Sequence, residues 1–391
     1  MNAPTDAMTV DRRAALLFLF LGNIVIGSGV LAPAAMINPM AADLGVSAVA
    51  IGGLIGWGAV ILCIGAPTFG FLTNRVDRRT LLSASLVVYA IGHAASAFAP
   101  DYNAVLALRL MMIGGAAIFT PQAASAVALM IPEERRASVV ALVFMGWAFA
   151  GAAVVPFMSI LAEMLSWRAM YAGLAVGASL AAAGILLLMP AGLYPVQLSM
   201  KAWGSVLARP VVLVLLATTS LQLVGQFILY PYFAAELLRA THANGGGVAL
   251  ALGLYGGAGL LGSLVAARAV GSLGAPRVQF FCLLAMAAGL TGWSIFSQSF
   301  GPTAVSICVW GLGFGAAGSM QQARLIAVGP ALASASVALN TSSIYMGQAL
   351  GSAIGGVLIE AKSPSLLGPV GVMFVVCAMA ASAWVHRRFD A

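Results

Sequence analysis

Long apolar runs separated by short polar breaks fill the whole chain. A helix that crosses a bilayer needs about 20 mostly apolar residues in succession. Runs of that length, bounded by charges, prolines or clusters of Asn, Asp and Ser, occur twelve times. Spans one to six are expected at 14–36, 48–71, 80–99, 104–130, 137–162 and 168–189. Spans seven to twelve are expected at 211–235, 246–267, 277–299, 301–326, 334–359 and 365–385. Pro33, Pro121 and Pro156 lie inside these runs, where neighbouring helices can satisfy the backbone groups that a proline frees. A transmembrane β-barrel would instead show alternating segments of about ten residues. The pattern therefore predicts an all-α membrane protein.

Composition narrows the class. Of 391 residues, 62% are hydrophobic and 7% are charged, against about 25% charged in ordinary soluble chains. So few charges cannot solvate a globule of this size, which excludes a soluble enzyme or a nucleic-acid-binding domain. The net charge of +7 is a topology signal: sorted by alternate loops, 14 of the 18 Lys and Arg residues fall on one side and three on the other, with Arg109 inside span four. By the positive-inside rule, both termini and the central loop are expected in the cytoplasm, in a multi-pass protein of the inner membrane. Span one reads as a retained helix rather than a cleaved signal. Cys63, Cys282, Cys308 and Cys377 all fall inside spans without metal-ligand spacing, so no metal or cofactor is expected and packing is their reading.

The chain also repeats. Gly70 to Arg75 after span two is echoed by Gly262 to Arg268 after span eight. Pro132 with Ala137 and Ser138 before span five is echoed by Pro330 with Ala335 and Ser336 before span eleven, and Glu163 and Glu360 close those two spans. Offsets of 192, 198 and 197 residues are consistent with one duplication. The expected organisation is a six-helix bundle over 1–190, a cytoplasmic central loop over 191–210 and a second bundle over 211–391.

The segment Gly70-Phe-Leu-Thr-Asn-Arg-Val-Asp-Arg-Arg79 resembles the loop between helices two and three of the major facilitator superfamily, Gly-x-Leu-x-Asp-Arg-x-Gly-Arg-Arg/Lys. Asn74 stands where that family usually has Asp, and Asp77 where it has Gly. The resemblance extends to Arg109 with Gly114 and Gly115, to Pro132-Glu-Glu-Arg-Arg136, to Trp167-Arg168 and to Asn340 through Gly356. It is strongest to the bacterial drug, sugar and purine efflux branch. It implies two pseudo-symmetric bundles, alternating access, and a gating or coupling role for Asn74, Arg75, Asp77, Arg78, Arg79 and Arg109. In span five, Gly151 and Pro156 match the antiporter motif, whereas Val155, Ser159 and Ile160 replace its glycines.

Polar groups in hydrocarbon are costly unless they pair or line a cavity, so they mark candidate substrate contacts. These are Asn23 and Ser28 in span one, Gln122 in span four, Trp147 in span five, and Gln222, Gln226 and Tyr230 in span seven. Tyr255 in span eight, Gln321 and Gln322 in span ten, and Asn340, Tyr345 and Gln348 in span eleven complete the set. Trp57, Phe119 and Phe149 are candidates, with Trp147, for an aromatic wall. Arg109 has two readings, a coupling residue or a side chain snorkelling to the interface. All eleven acids lie away from span centres, so no carboxylate is placed to trade a proton for substrate at mid-membrane. Peripheral Asp43 or Glu236, or His93 in span three, remain as proton carriers. An uncoupled facilitator, an anion carrier using Arg109 or Arg324, and a non-transporting sensor remain as alternatives. The expected protein is a monomeric exporter of a small organic solute, with protons as co-substrate and no nucleic-acid partner.

Overall fold

The computed structural model describes residues 5–73, 75–195, 200–328 and 333–389. Among these, ten helices are long and apolar enough to cross a membrane. One of them, Gly245–Phe296, is 52 residues long and breaks at Gly274, whose φ of 75° and ψ of 156° leave the helical region before Pro276. It supplies spans eight and nine. Span three, Arg78–Ser96, is a 19-residue helix whose apolar run is diluted by Arg78, Arg79, His93 and three serines. The twelve spans expected from the pattern are all present.

In chain order, spans one, two and four are Thr5–Ala35, Ala48–Leu72 and Tyr102–Met130. Span five runs from Glu133–Phe149 through a π-helical turn, Ala150–Val154, into Val155–Met164. Span six is Trp167–Leu188. Span seven is Pro210–Phe227, extended by a 3-10 turn at Tyr230–Tyr232 and a short helix, Phe233–Thr241. Spans ten, eleven and twelve are Phe300–Val328, Ala333–Glu360 and Leu367–Phe389. Helix entry follows local chemistry: Ser47, Asp101, Ser166 and Asn244 each accept a hydrogen bond from an amide three residues on, capping spans two, four, six and eight.

The two halves share one packing plan. Span one packs on five and six, as seven does on eleven and twelve; span three packs on four and six, as nine does on ten and twelve. The halves meet where span two packs on eleven and span five on eight. They also meet at the end of the bundle remote from the basic loops, where span one touches the extension of span seven.

Glycine sets the closest approaches. Cβ atoms built on Gly347, Gly351 and Gly355 of span eleven would fall 2.4, 2.6 and 2.1 Å from the carbonyl oxygens of Ser220, Val224 and Ile228 in span seven. This glycine face lies inside one bundle and fastens span eleven to seven. The seam between bundles uses different glycines: Gly52 under the ring of Tyr232, and Gly256 against the backbone of Ala152.

Candidate functional site

Polar candidates form a side-chain network in each half, with the remaining candidates bonded elsewhere. In the N-terminal half, Asn23 is fully buried and donates from Nδ2 to Leu19 O at 3.2 Å. Its Oδ1 accepts from Thr120 Oγ1 at 3.3 Å, and Thr120 Oγ1 accepts from Trp147 Nε1 at 3.3 Å. Spans one, four and five are thereby linked through side chains. Gln122 is buried beside Gly70 of span two. Ser28 is buried with its Oγ unpartnered.

In the C-terminal half, Gln226 is the hub. Its Nε2 donates to the Tyr255 hydroxyl, and its Oε1 accepts from Trp310 Nε1 at 2.6 Å. Tyr230 lies 5.4 Å from Tyr255 and 6.4 Å from Trp310 between ring centroids, and Phe314 stacks on Tyr255 at 6.0 Å. A neutral amide is thereby held among four aromatic rings, offering hydrogen bonds beside apolar faces. Gln222, one turn earlier, accepts instead from Gln279 Nε2 of span nine at 2.8 Å, so the two amides serve different neighbours. Further along, Thr219 Oγ1 donates to Asn340 Oδ1 at 2.7 Å, and Gln321 Nε2 donates to Leu215 O. Asn340 Nδ2, Gln321 Oε1 and Gln348 Nε2 are unpartnered. Gln322 and Tyr345 are half-buried. Among the described residues, no hydrogen bond joins the N-terminal set to the C-terminal set.

Three members of these groups were not among the candidates: Thr120 and Gln279 carry the same signal as the rest, a polar side chain in an apolar run, and Trp310 is an aromatic residue within a span. Of the expected aromatic wall, Trp57 and Phe149 are exposed and Phe119 packs against Gly22, so Trp147 alone joins the polar group.

Arg109 does not snorkel. It is fully buried, and its guanidinium donates to Leu54 O at 2.7 Å, Gly29 O at 3.2 Å and Val30 O at 2.8 Å. Span four is thus tied by one side chain to the backbones of spans one and two. Arg324, counted by sequence among the loop cations, is buried within span ten and donates to Ser382 Oγ of span twelve at 2.6 Å.

The peripheral acids are already engaged. Asp43 Oδ2 accepts from Arg168 at 2.9 Å and from Trp167 Nε1 at 2.9 Å, while Arg168 also donates to Ala97 O and Ala99 O. Glu236 pairs with Arg239 one turn away at 2.8 Å. In the loop between spans two and three, Asn74 lies outside the described residues. Asp77 Oδ1 accepts from the amide of Leu193 at 2.8 Å, and the Arg78 amide donates to Leu193 O at 3.0 Å. The Arg78 side chain folds under the loop to Thr73 O and Val76 O, where burial lowers its pKa and Asp77 opposes the shift. Arg75 is exposed and Arg79 half-buried. Asp77 and Arg78 thereby clamp the start of the central loop to the N-terminal bundle.

Two like helical bundles, each gathering uncharged polar and aromatic side chains in its interior, make the architecture of a membrane transporter. Residues 17–235 match the family described as Major Facilitator Superfamily, and the chain belongs to it. The inner membrane transport protein YdhP of Escherichia coli K12 is 30% identical over 346 residues, covering 88% of this chain and 89% of that protein. The MFS-type transporter YbcL of Bacillus subtilis is 25% identical, covering 93% of each. Among solved structures, a D-xylose–proton symporter superposes with a TM-score of 0.77 at 18% identity, covering 94% of this chain and 96% of the other. The nucleoside transporter NupG gives 0.78 at 10% identity, covering 96% and 99%. At these identities the structures speak for the fold. The protein is a multi-pass membrane transporter, not an enzyme.

Proposed function

We propose that the protein exports a small, uncharged organic solute in exchange for protons, by alternating access between the bundles 1–190 and 211–391. The observation that carries the substrate class is the Gln226–Tyr255–Trp310 group: an amide with hydrogen-bonding capacity among aromatic rings, and no carboxylate in either polar set. Asn23, Gln122 and Trp147 face this role from the N-terminal half, and Asn340, Gln321 and Gln348 from the C-terminal half. Sugars, nucleosides and neutral aromatic drugs are the solutes to try first. The similar structures are named for a pentose and for nucleosides, and the curated relative for an inner membrane. The basic loops then face the cytoplasm with both termini and the central loop, and the molecule acts as a monomer.

Proteoliposomes carrying a panel of such solutes and an internal pH dye test this reading. The expected result is proton flux that starts on addition of one solute class and is lost in Gln226→Leu. Solute flux with no proton movement would establish the uncoupled facilitator, which the absence of a mid-span carboxylate favours as second reading. No flux of any panel member under any gradient would overturn the substrate class.

A further inference from the structure

The N-terminal bundle holds a second polar cluster, away from the two groups above, between spans one, three, four and six. His93 is fully buried, and its Nδ1 lies 3.0 Å from Tyr89 O. A carbonyl only accepts, so Nδ1 carries the hydrogen and Nε2 holds the free lone pair. That Nε2 is buried and has no partner. The ring of Tyr171 lies 5.2 Å from that of His93, and its buried hydroxyl faces the Arg109 guanidinium. Tyr89 Oη donates to Ile26 O of span one at 3.1 Å.

These groups converge on Gly29. A Cβ built there would fall 2.2 Å from Tyr89 Oη and 2.7 Å from His93 Nε2, so the imidazole edge rests directly on the backbone of span one. On the same residue, Gly29 O accepts from Arg109 at 3.2 Å, the longest of that guanidinium's three bonds. Titratable or charged groups around the imidazole are Tyr89 from span three, Arg109 and more distantly Tyr102 from span four, Tyr171 from span six, and Tyr345 reaching toward Tyr89 from span eleven. Spans one and two contribute backbone only. No carboxylate is among them.

We propose that Nε2 of His93 is a proton-binding site of the N-terminal bundle, and that its protonation displaces Arg109 from Gly29. This deepens the proton-driven reading above and rests on it. A proton from water adds to the Nε2 lone pair, the Nδ1–H bond to Tyr89 O stays, no covalent bond breaks and the ring gains one positive charge. That places an imidazolium beside a guanidinium at one residue, with no anion between them, so one cation must move. The new Nε2–H also needs an acceptor, and Gly29 O, released by Arg109, and Tyr89 Oη both lie at that residue. Arg109 gives way at its weakest bond, and span one is left held to span four through Val30 O alone, with Leu54 O of span two still bonded. A charge on a neutral histidine thereby becomes a loosening of span one, without a carboxylate at mid-membrane.

Hydrogen exchange on the full-length protein in nanodiscs, corrected for intrinsic rates, reads this without a known solute. In the wild type, protection over 24–31 should fall by about tenfold between pH 8 and pH 4, because the charged ring forms in a buried site beside a guanidinium, and His93→Gln should abolish the pH response. A response that persists in His93→Gln overturns the assignment while leaving proton coupling standing. A wild type with no response overturns the proposal, and solute-dependent proton flux in the proteoliposomes then decides separately whether coupling stands. Should the variant not fold, ring-15N NMR of the wild type decides, with His242→Gln and His386→Gln to assign signals. His93 must become imidazolium in step with the loss of protection, and a neutral ring throughout refutes the proposal.

Discussion

Alanine at the three ladder glycines of span eleven offers a graded test of the packing. The built Cβ atoms fall 2.1, 2.4 and 2.6 Å from the carbonyls of Ile228, Ser220 and Val224, so ordinary contact at 3.4 Å is missed by 1.3, 1.0 and 0.8 Å at Gly355, Gly347 and Gly351. Each clash is with backbone, which cannot rotate aside as a side chain can. Span eleven must therefore move away from span seven along the whole contact. Overpacking of this kind costs about 1–3 kcal/mol, against which alanine recovers up to about 1 kcal/mol of helix propensity. The expected net loss is about 1–2 kcal/mol for Gly355→Ala, less for Gly347→Ala and least for Gly351→Ala. Gly173 and Gly257 are controls, since nothing lies within 4 Å of a Cβ at either, and alanine there should be neutral or stabilising. Reversible unfolding in mixed micelles of sodium dodecyl sulfate gives the free-energy differences. Ladder variants as stable as the controls, or a reversed order, would refute the reasoning.

Two further substitutions probe the ties between helices. Arg109→Lys keeps the charge but cannot span three carbonyls on two helices; with charge-assisted bonds worth about 1.5–3 kcal/mol each, it should lose at least one such increment in the same unfolding assay. Gly52→Ala should wedge open the end of the seam remote from the basic loops, because its Cβ would lie 2.1 Å from Tyr232 Cε1 and the Tyr232 hydroxyl is held by Ser352 O at 2.8 Å. Faster labelling of Val49→Cys by an impermeant thiol reagent, in a chain otherwise free of cysteine, is the expected result, and unchanged labelling would count against it.

The twelve spans were legible because bilayer thickness writes itself into run length, and even the break at Gly274 stands between two separately counted runs. Polar outliers were legible one at a time, since an amide in an apolar run is conspicuous. Their partners were not. Gln222 and Gln226 sit one turn apart, yet one bonds span nine and the other joins spans eight and ten. Periodicity gives a residue's face on its own helix and is silent on which helix covers that face. Arg109 shows the same limit: its depth was visible, but its acceptors are carbonyls of Gly29, Val30 and Leu54, which no sequence pattern marks. Asp77 looked like a charge for a latch and is bound to the Leu193 amide, 116 residues away.

The π-helical turn in span five lies where the two sets of repeated residues differ in spacing. From Ala137 to Glu163 is 26 residues, whereas from Ala335 to Glu360, the repeated pair in span eleven, is 25. One half has gained a residue, or the other has lost one, inside a helix whose two ends stay in register with its twin. A π turn absorbs a single extra residue by widening one turn of helix, with the helix on either side left regular, and Ala150–Val154 is such a turn within that interval. The repeat is thus one residue out of step at a place that can be named. Matching the two pairs opens a one-residue gap within 137–163, the interval that holds this turn, where Ala152 bears on Gly256 across the seam.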